Sequence, residues 1–319
     1  MMRAAVPTLP SNLPLADRTM RRGGLQRRPQ KWGRVLLPYG FFLPAFLLVA
    51  AVSFIPLGYA IQQSFHAADY MGMGRFVGLQ NYSRFLGDGQ GWRNLWQAFV
   101  FVAGSVAIAL PLGFALACAL NRPIRFRGLF RTILILPWLV SNLVVALLWA
   151  WMLNAQFGPV AYLVSQFGGT LPNAVTSPAL AMPALIIANV WHSYPLVMIF
   201  VLAALQTVPA ELYEAARIDG ASAWNRFKLI TLPMVRNTTL VVLVLTTLHT
   251  FNNVTMVFVM TGGGPVGMTE TLALRVFVEE FKYYQTGIAS AAAVIIFALN
   301  LLFSVVYIRV LRGENTAKA

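Results

Sequence analysis

The chain has 319 residues, 58% of them apolar and only 11% charged, with a formal net charge of +14. A soluble protein carries about 25% charged residues, so the composition excludes an ordinary soluble globule. The basic excess points to juxtamembrane charge facing anionic lipid rather than to nucleic acid.

In chain order, residues 1–34 read as a basic, polar, disordered tail. They do not read as a cleaved signal, because the following apolar run is about twice the length of a signal core and has no small-residue cleavage site. Six runs free of Asp, Glu, Lys and Arg follow: Val35–Ile61, Asn94–Asn121, Thr132–Leu153, Ala179–Gln206, Thr238–Met260 and Gln285–Ile308. Each is long enough for a membrane helix, which needs about 20 apolar residues. The uncharged stretch from Thr132 to Ala210 is too long for one helix. It divides at the loop signals Gly158–Pro159, Gly168–Gly169–Thr170 and Thr176–Ser177–Pro178. The runs lack the alternation of a membrane barrel. The expected fold is therefore all-α, with six transmembrane helices over 35–311 and a short tail at 312–319. Trp92, Trp96, Trp149 and Trp151 sit near span ends, as in an interfacial aromatic belt.

Sidedness follows from Lys and Arg, which favour cytoplasmic loops. Of the 24 in the chain, 19 lie in the N-terminal tail, the second-to-third connection, the fourth-to-fifth connection and the C-terminal tail. Both termini and the fourth-to-fifth connection are thus placed in the cytoplasm.

Catalytic signatures are missing. Lys31, Lys228, Lys282 and Lys318 are followed by Trp, Leu, Tyr and Ala, so no P-loop pairing of Lys with Ser or Thr exists. His66, His192 and His249 lack metal-ligand spacing, no nucleophile elbow occurs, and Cys118 stands alone. No cofactor or metal is expected in this chain. An energy source would be an ion gradient or another subunit.

The fourth-to-fifth connection contains "ELYEAARIDGASAWNRFKLITLP", Glu211–Pro233, with three of the ten acidic residues. It reads as two short helices and a turn. Thr207 is a candidate cap and Pro209 suits a first turn, while Glu211 and Glu214 favour the positive end of the helix dipole. Gly220 supplies a left-handed stop. Ser222 caps a second helix with Trp224 and Phe227 on one side, which Pro233 is expected to end. Small residues and carboxylates suit a docking partner, although a loop lying on headgroups has the same composition.

Polar groups inside a membrane are costly and line cavities or helix interfaces. The candidates are Asn142, His192, Asn252, Asn253 and Asn300, with Trp191, Tyr194 and Phe251 as flat faces for sugar rings. His249, Asn252 and Asn253 have the spacing of one helix face. Pro195 is expected to kink the fourth span beside His192. The equally plain reading is that these groups bond a neighbouring helix.

Glu214-Ala215-Ala216, Gly220 and Ile230-Thr231-Leu232-Pro233 resemble the E-A-A…G…I-x-L-P signature of permease subunits of binding-protein-dependent ABC importers. "FVGLQNY" (Phe76–Tyr82), "RGLFRTILILPW" (Arg127–Trp138) and "TGGGP" (Thr261–Pro265) resemble the carbohydrate-uptake branch, of maltose and glycerol-phosphate type. The resemblance implies the type I importer permease fold in a bacterial inner membrane. It makes residues 207–236 a coupling loop, with Glu214, Ala215, Ala216, Arg217, Asp219 and Gly220 meeting a cytoplasmic ATPase. It also implies a second permease, two ATPase subunits that bind ATP and Mg, and an external solute-binding protein meeting loops 62–93, 154–178 and 261–284. A sugar-like solute would pass. An ion-coupled secondary transporter is the main rival. A membrane enzyme lacks clustered acids, and an inert scaffold has no need of polar groups inside its spans.

Overall fold

The computed structural model describes residues 32–69, 71–87 and 89–313, with side chains over 42–309 apart from 70 and 88. Most of the basic tail expected at 1–34, up to Lys31, and residues 314–319 of the C-terminal tail lie outside the described residues. The chain divides into two units, Met1–Ile55 and Pro56–Ala319. What is described of the first unit belongs to α1 (Trp32–Ser64), an apolar helix whose side chains from Phe42 to Ile55 are exposed or half-buried. Such a surface suits lipid.

In the second unit, the first external loop is built. A hairpin of β1 (His66–Asp69) and β2 (Gly72–Phe76) pairs His66 with Phe76 and Asp69 with Gly72. Helix α2 (Gln80–Gly87) follows. Its buried Asn81 donates to the carbonyls of Ser64 (2.9 Å) and His66 (2.8 Å), and the Tyr82 hydroxyl bonds Ser64 Oγ at 2.7 Å. The "FVGLQNY" segment is thus a clip that satisfies orphan carbonyls where α1 ends. A Cβ on Gly287 would come 2.5 Å from the His66 carbonyl, so the loop also presses against the start of the last span.

Helix α3 (Gln90–Leu120) and helix α7 (Ala181–Leu205) form the central pair. The buried stripe of α3 includes Ala98, Ser105, Ala109, Gly113 and Ala117, small residues that let two backbones approach. A Cβ on Gly113 would lie 2.6 Å from Val197 Cβ and 2.7 Å from the Tyr194 carbonyl. Among the described spans α7 is the most buried. It remains helical through Pro195.

The chain breaks elsewhere. The third span, expected as one run, is α4 (Arg127–Leu139) and α5 (Asn142–Met152), bent by 96°. Val140 is extended and the Ser141 hydroxyl caps α5 by accepting from Val144 N, so a new helix starts in a new direction. Helix α6 (Pro159–Gln166) lies in the following loop.

The fourth-to-fifth connection holds α8 (Ala210–Ile218) and α9 (Ala223–Arg226), then a π-turn at Phe227–Thr231 and α10 (Leu232–Phe251). Ala223–Phe251 is one span of 29 residues, so Pro233 does not stop the second short helix as expected. The wide turn just before it, where Leu232 N–H reaches back five residues to the Phe227 carbonyl, accommodates the missing donor. Beyond the fifth span lie α11 (Val254–Thr261), α12 (Leu272–Phe281) and α13 (Thr286–Gly313). Five spans are continuous and the bent pair makes a possible sixth, the arrangement expected from the six charge-free runs.

"TGGGP" ends α11 at left-handed Gly262 (φ 59°) and is closed by Thr269, whose hydroxyl bonds Thr261 Oγ1 (2.8 Å) and donates to the Gly264 carbonyl (2.6 Å). Glu270 then fixes this loop to α3. Gln90 Nε2 donates to its carboxylate at 3.1 Å and Asn94 Nδ2 to its carbonyl at 2.7 Å, while Arg275 bridges Glu270 and Glu279. Partial burial raises the neighbouring Glu280 carboxyl above its ordinary range.

Replacing Gly113 by Val forces α3 from α7, with an expected loss of about 3 kcal/mol, the upper range for overpacking. The same change at Gly128, where a Cβ meets nothing within 4 Å, should be nearly silent. Thermal midpoints of the two detergent-purified variants check this; equal midpoints would contradict the close packing.

Candidate coupling segment and polar breaks

On the side assigned to the cytoplasm, α8 has two faces. Glu211, Glu214, Ala215, Arg217 and Ile218 are exposed, Ile218 by 87%, whereas Tyr213 and Ala216 turn inward and are half-buried. Asp219 ends the helix and Gly220 follows at φ 75°, both exposed. Gly220 N–H bonds the Arg217 carbonyl (3.1 Å) and Ala221 N–H the Ala216 carbonyl (2.8 Å), the paired closure of a glycine-stopped helix. Thr207 does not cap α8, contrary to expectation. Its hydroxyl donates to the Ala204 carbonyl at the end of α7, and Pro209 occupies the cap position. Ser222 caps α9 as expected, accepting from Asn225 N at 3.2 Å, and Trp224 stacks on Phe227 at 5.6 Å. Glu211, Glu214 and Asp219 have no hydrogen bond or ion pair within the described chain. An acidic face with small residues and no internal partner is free to receive a basic one.

The polar residues gather at two helix breaks. The first separates α4 from α5, with Asn142 as the first residue of α5. The second separates α10 from α11, where Asn252 ends one helix and the Asn253 side chain caps the next by accepting from Met256 N at 3.2 Å. His249, Asn252 and Asn253 therefore do not share a continuous helix face. Each break is pinned to α7. His192 Nδ1 lies 2.9 Å from the Pro137 carbonyl, which only accepts, so Nδ1 carries the proton and serves an orphan carbonyl of α4. Asn189, one turn earlier and fully buried, donates to Thr250 Oγ1 (3.2 Å) and accepts from Asn253 Nδ2 (3.3 Å). Sequence reasoning passed over Asn189 and Thr250; the usable signal was an Asn three residues before His192 in an otherwise apolar span.

The remaining candidates sort by exposure. His192, Tyr194, Phe251 and Asn253 are buried within the chain. Phe251 packs edge-on against Phe303 at 5.8 Å. Trp191 is half-buried and meets Trp149 edge-on at 6.1 Å, so Trp149 is an interior contact rather than a belt residue; Trp92, Trp96 and Trp151 are exposed as a belt requires. Asn252 and His249 are exposed, and half-buried Asn300 donates to Asn252 Oδ1 at 3.3 Å. Asn142 Oδ1 and Asn300 Oδ1 are buried acceptors without a partner among the described residues. Among the described residues no group of three or more His, Cys, Asp or Glu could hold a metal ion.

The chain is similar to known proteins. The family described as "Binding-protein-dependent transport system inner membrane component" matches residues 109–313. A trehalose/maltose transport system permease protein of Thermococcus litoralis is 35% identical over 284 residues, 88% of this chain and 95% of the relative. A sulfoquinovosyl glycerol transport system permease protein of Agrobacterium fabrum is 30% identical over 308 residues, covering 94% and 100%. A chain of a bacterial ABC transporter that imports the acidic polysaccharide alginate shares the fold, with a TM-score of 0.78 at 22% identity over 88% of this chain and 96% of that one.

The two classes of asparagine should separate on substitution. Asn189→Leu strands Asn253 and Thr250 in a buried site, at about 1–3 kcal/mol, and should lower the thermal midpoint. Asn252→Leu should leave it unchanged. Equal destabilisation would contradict the division.

Proposed function

The chain belongs to the family of binding-protein-dependent transport system inner membrane components, and on that premise we propose that it carries a neutral, sugar-like solute across the membrane as one permease of an ATP-driven importer. A second permease completes the path, two cytoplasmic ATPase subunits binding ATP and Mg drive it, and an external binding protein delivers solute. The observation that carries this reading is the outward face of α8. Glu211, Glu214 and Asp219 lack partners among the described residues and flank small residues and a glycine stop. Glu214 pairs with a basic ATPase residue, while exposed Ala215 and Gly220 allow close approach, with Arg217 and Asp219 at the edge and inward-turned Ala216 behind them.

Several relatives are named for sugar or glycerol-type substrates. The polar groups of this chain favour a neutral member of that class. Its charge-free runs place carboxamides and an imidazole at the breaks, with no Lys or Arg to match a phosphate. Asn252, Asn300 and His249 form the exposed polar edge, Asn142 offers an unpartnered acceptor, and half-buried Trp191 supplies an aromatic plane. His192, Tyr194, Phe251 and Asn253 shape the wall from behind. An ion-coupled transporter is disfavoured by the absence of carboxylates from these runs.

Two measurements test the reading. Gly220→Trp should abolish ATPase co-purification and uptake while the chain still inserts. Gly220→Asn, which tolerates the left-handed backbone, should retain most of both; normal uptake by the Trp variant would overturn the coupling role. In the purified complex with its binding protein, neutral oligosaccharides should stimulate ATP hydrolysis more than glycerol 3-phosphate. The reverse order would overturn the solute assignment.

A further inference from the structure

Helix α8 packs only marginally against the rest of the chain. Apart from its two chain connections, one side-chain hydrogen bond holds it to another element among the described residues: the Tyr213 hydroxyl to Thr231 Oγ1, at 3.0 Å. Tyr213 is on the inward face, away from the acidic docking face. Thr231 is buried and is the last residue of the π-turn, and its hydroxyl also lies 3.5 Å from the Arg226 carbonyl five residues earlier. With that carbonyl taking the Thr231 proton, the Tyr213 hydroxyl donates to Thr231. Arg226 in turn donates to the Ala221 carbonyl at 2.5 Å, tying the loop after α8 to the same turn.

The π-turn lies near the start of the span that follows the loop. Ala223–Phe251 has 29 residues, about 43 Å at helical rise. Its far end is the Asn252–Asn253 break, where Asn252 meets Asn300 and Asn253 meets Asn189. A wide turn is a local irregularity of a kind found at functional sites. Here its last residue, Thr231, carries the hydroxyl that meets Tyr213 of α8.

We propose that Tyr213 and Thr231 are positioning residues that couple movement of α8 to the fifth span, so that displacement by the ATPase reaches the Asn252–Asn253 break instead of being absorbed in the loop. This rests on the reading of α8 as the ATPase-docking segment. Tyr213 and Thr231 do not themselves dock the ATPase or touch solute. They set how much of the nucleotide-driven motion is passed on.

The test uses the full complex, purified with its ATPases through a tag on this chain. A spin label is placed at Leu245→Cys, an exposed α10 position, in a Cys118→Ser background. MgATP with vanadate is the probe, and the readout is the ratio of the two label populations before and after trapping. Tyr213→Phe and Thr231→Val should each keep full ATPase co-purification and reduce the nucleotide-induced change in that ratio about five-fold, the factor matching a net hydrogen bond of ~1 kcal/mol. Thr231→Ser, which keeps the hydroxyl, should restore it, and the double variant should be no worse than either single one. An undiminished response in Tyr213→Phe would overturn the proposal, and so would loss of co-purification in that variant, which would make Tyr213 a docking residue. Retained co-purification in Gly220→Trp would instead sink the docking reading itself.

Discussion

A backbone that breaks inside hydrocarbon has no water to satisfy it, and every freed group must find a partner within the protein. One span of this chain breaks, at Val140–Ser141, and the fifth span ends at Asn252–Asn253, where a short new helix begins. Both places are held by one unbroken helix, α7, through His192 and Asn189, which stand one turn apart. The small-residue stripe of α3 brings α7 close enough to serve as that post. The rest of the architecture follows from it, including the contact of α5 with α11, whose apolar faces share the buried cluster of Phe101, Leu185, Met256 and Leu274.

Breaks of this kind are costly, and their value is local. Each turns a helix end into a place where side chains of the protein cap or pin the backbone. Asn253 and Asn189 are consumed in holding the structure; Asn252 and Asn300 are left at the edge. The same division operates at α8. Tyr213 secures α8 from within, while the carboxylates of Glu211 and Glu214 remain available outward. In both regions one side chain fixes the frame and its neighbour is free to act.

Much of this was legible in the sequence. Charge-free runs marked the spans, and Gly220 was legible as the left-handed stop of a short helix between the fourth and fifth of them. Composition could not say which proline breaks a helix. Pro195 lies in the most buried span and stays helical, and Pro233 is absorbed by a π-turn; the real breaks fall at Ser141 and at Asn252–Asn253, where a side chain caps a new helix. Whether an asparagine is structural or exposed depends on partners from distant helices. Spacing along one helix does not carry that, so Asn189 went unnoticed and Asn252 and Asn253 looked equivalent.

The division between framework and pathway is the claim on which the functional account stands. It is tested most directly by water accessibility in the assembled complex, in a Cys118→Ser background. Single cysteines at Asn252 and Asn253 are exposed to a charged, membrane-impermeant maleimide with and without MgATP and vanadate. The account predicts that Asn252→Cys reacts, at a rate that changes with nucleotide, and that Asn253→Cys stays protected in both states. Equal reactivity at the two positions, or protection of both in every state, would contradict it.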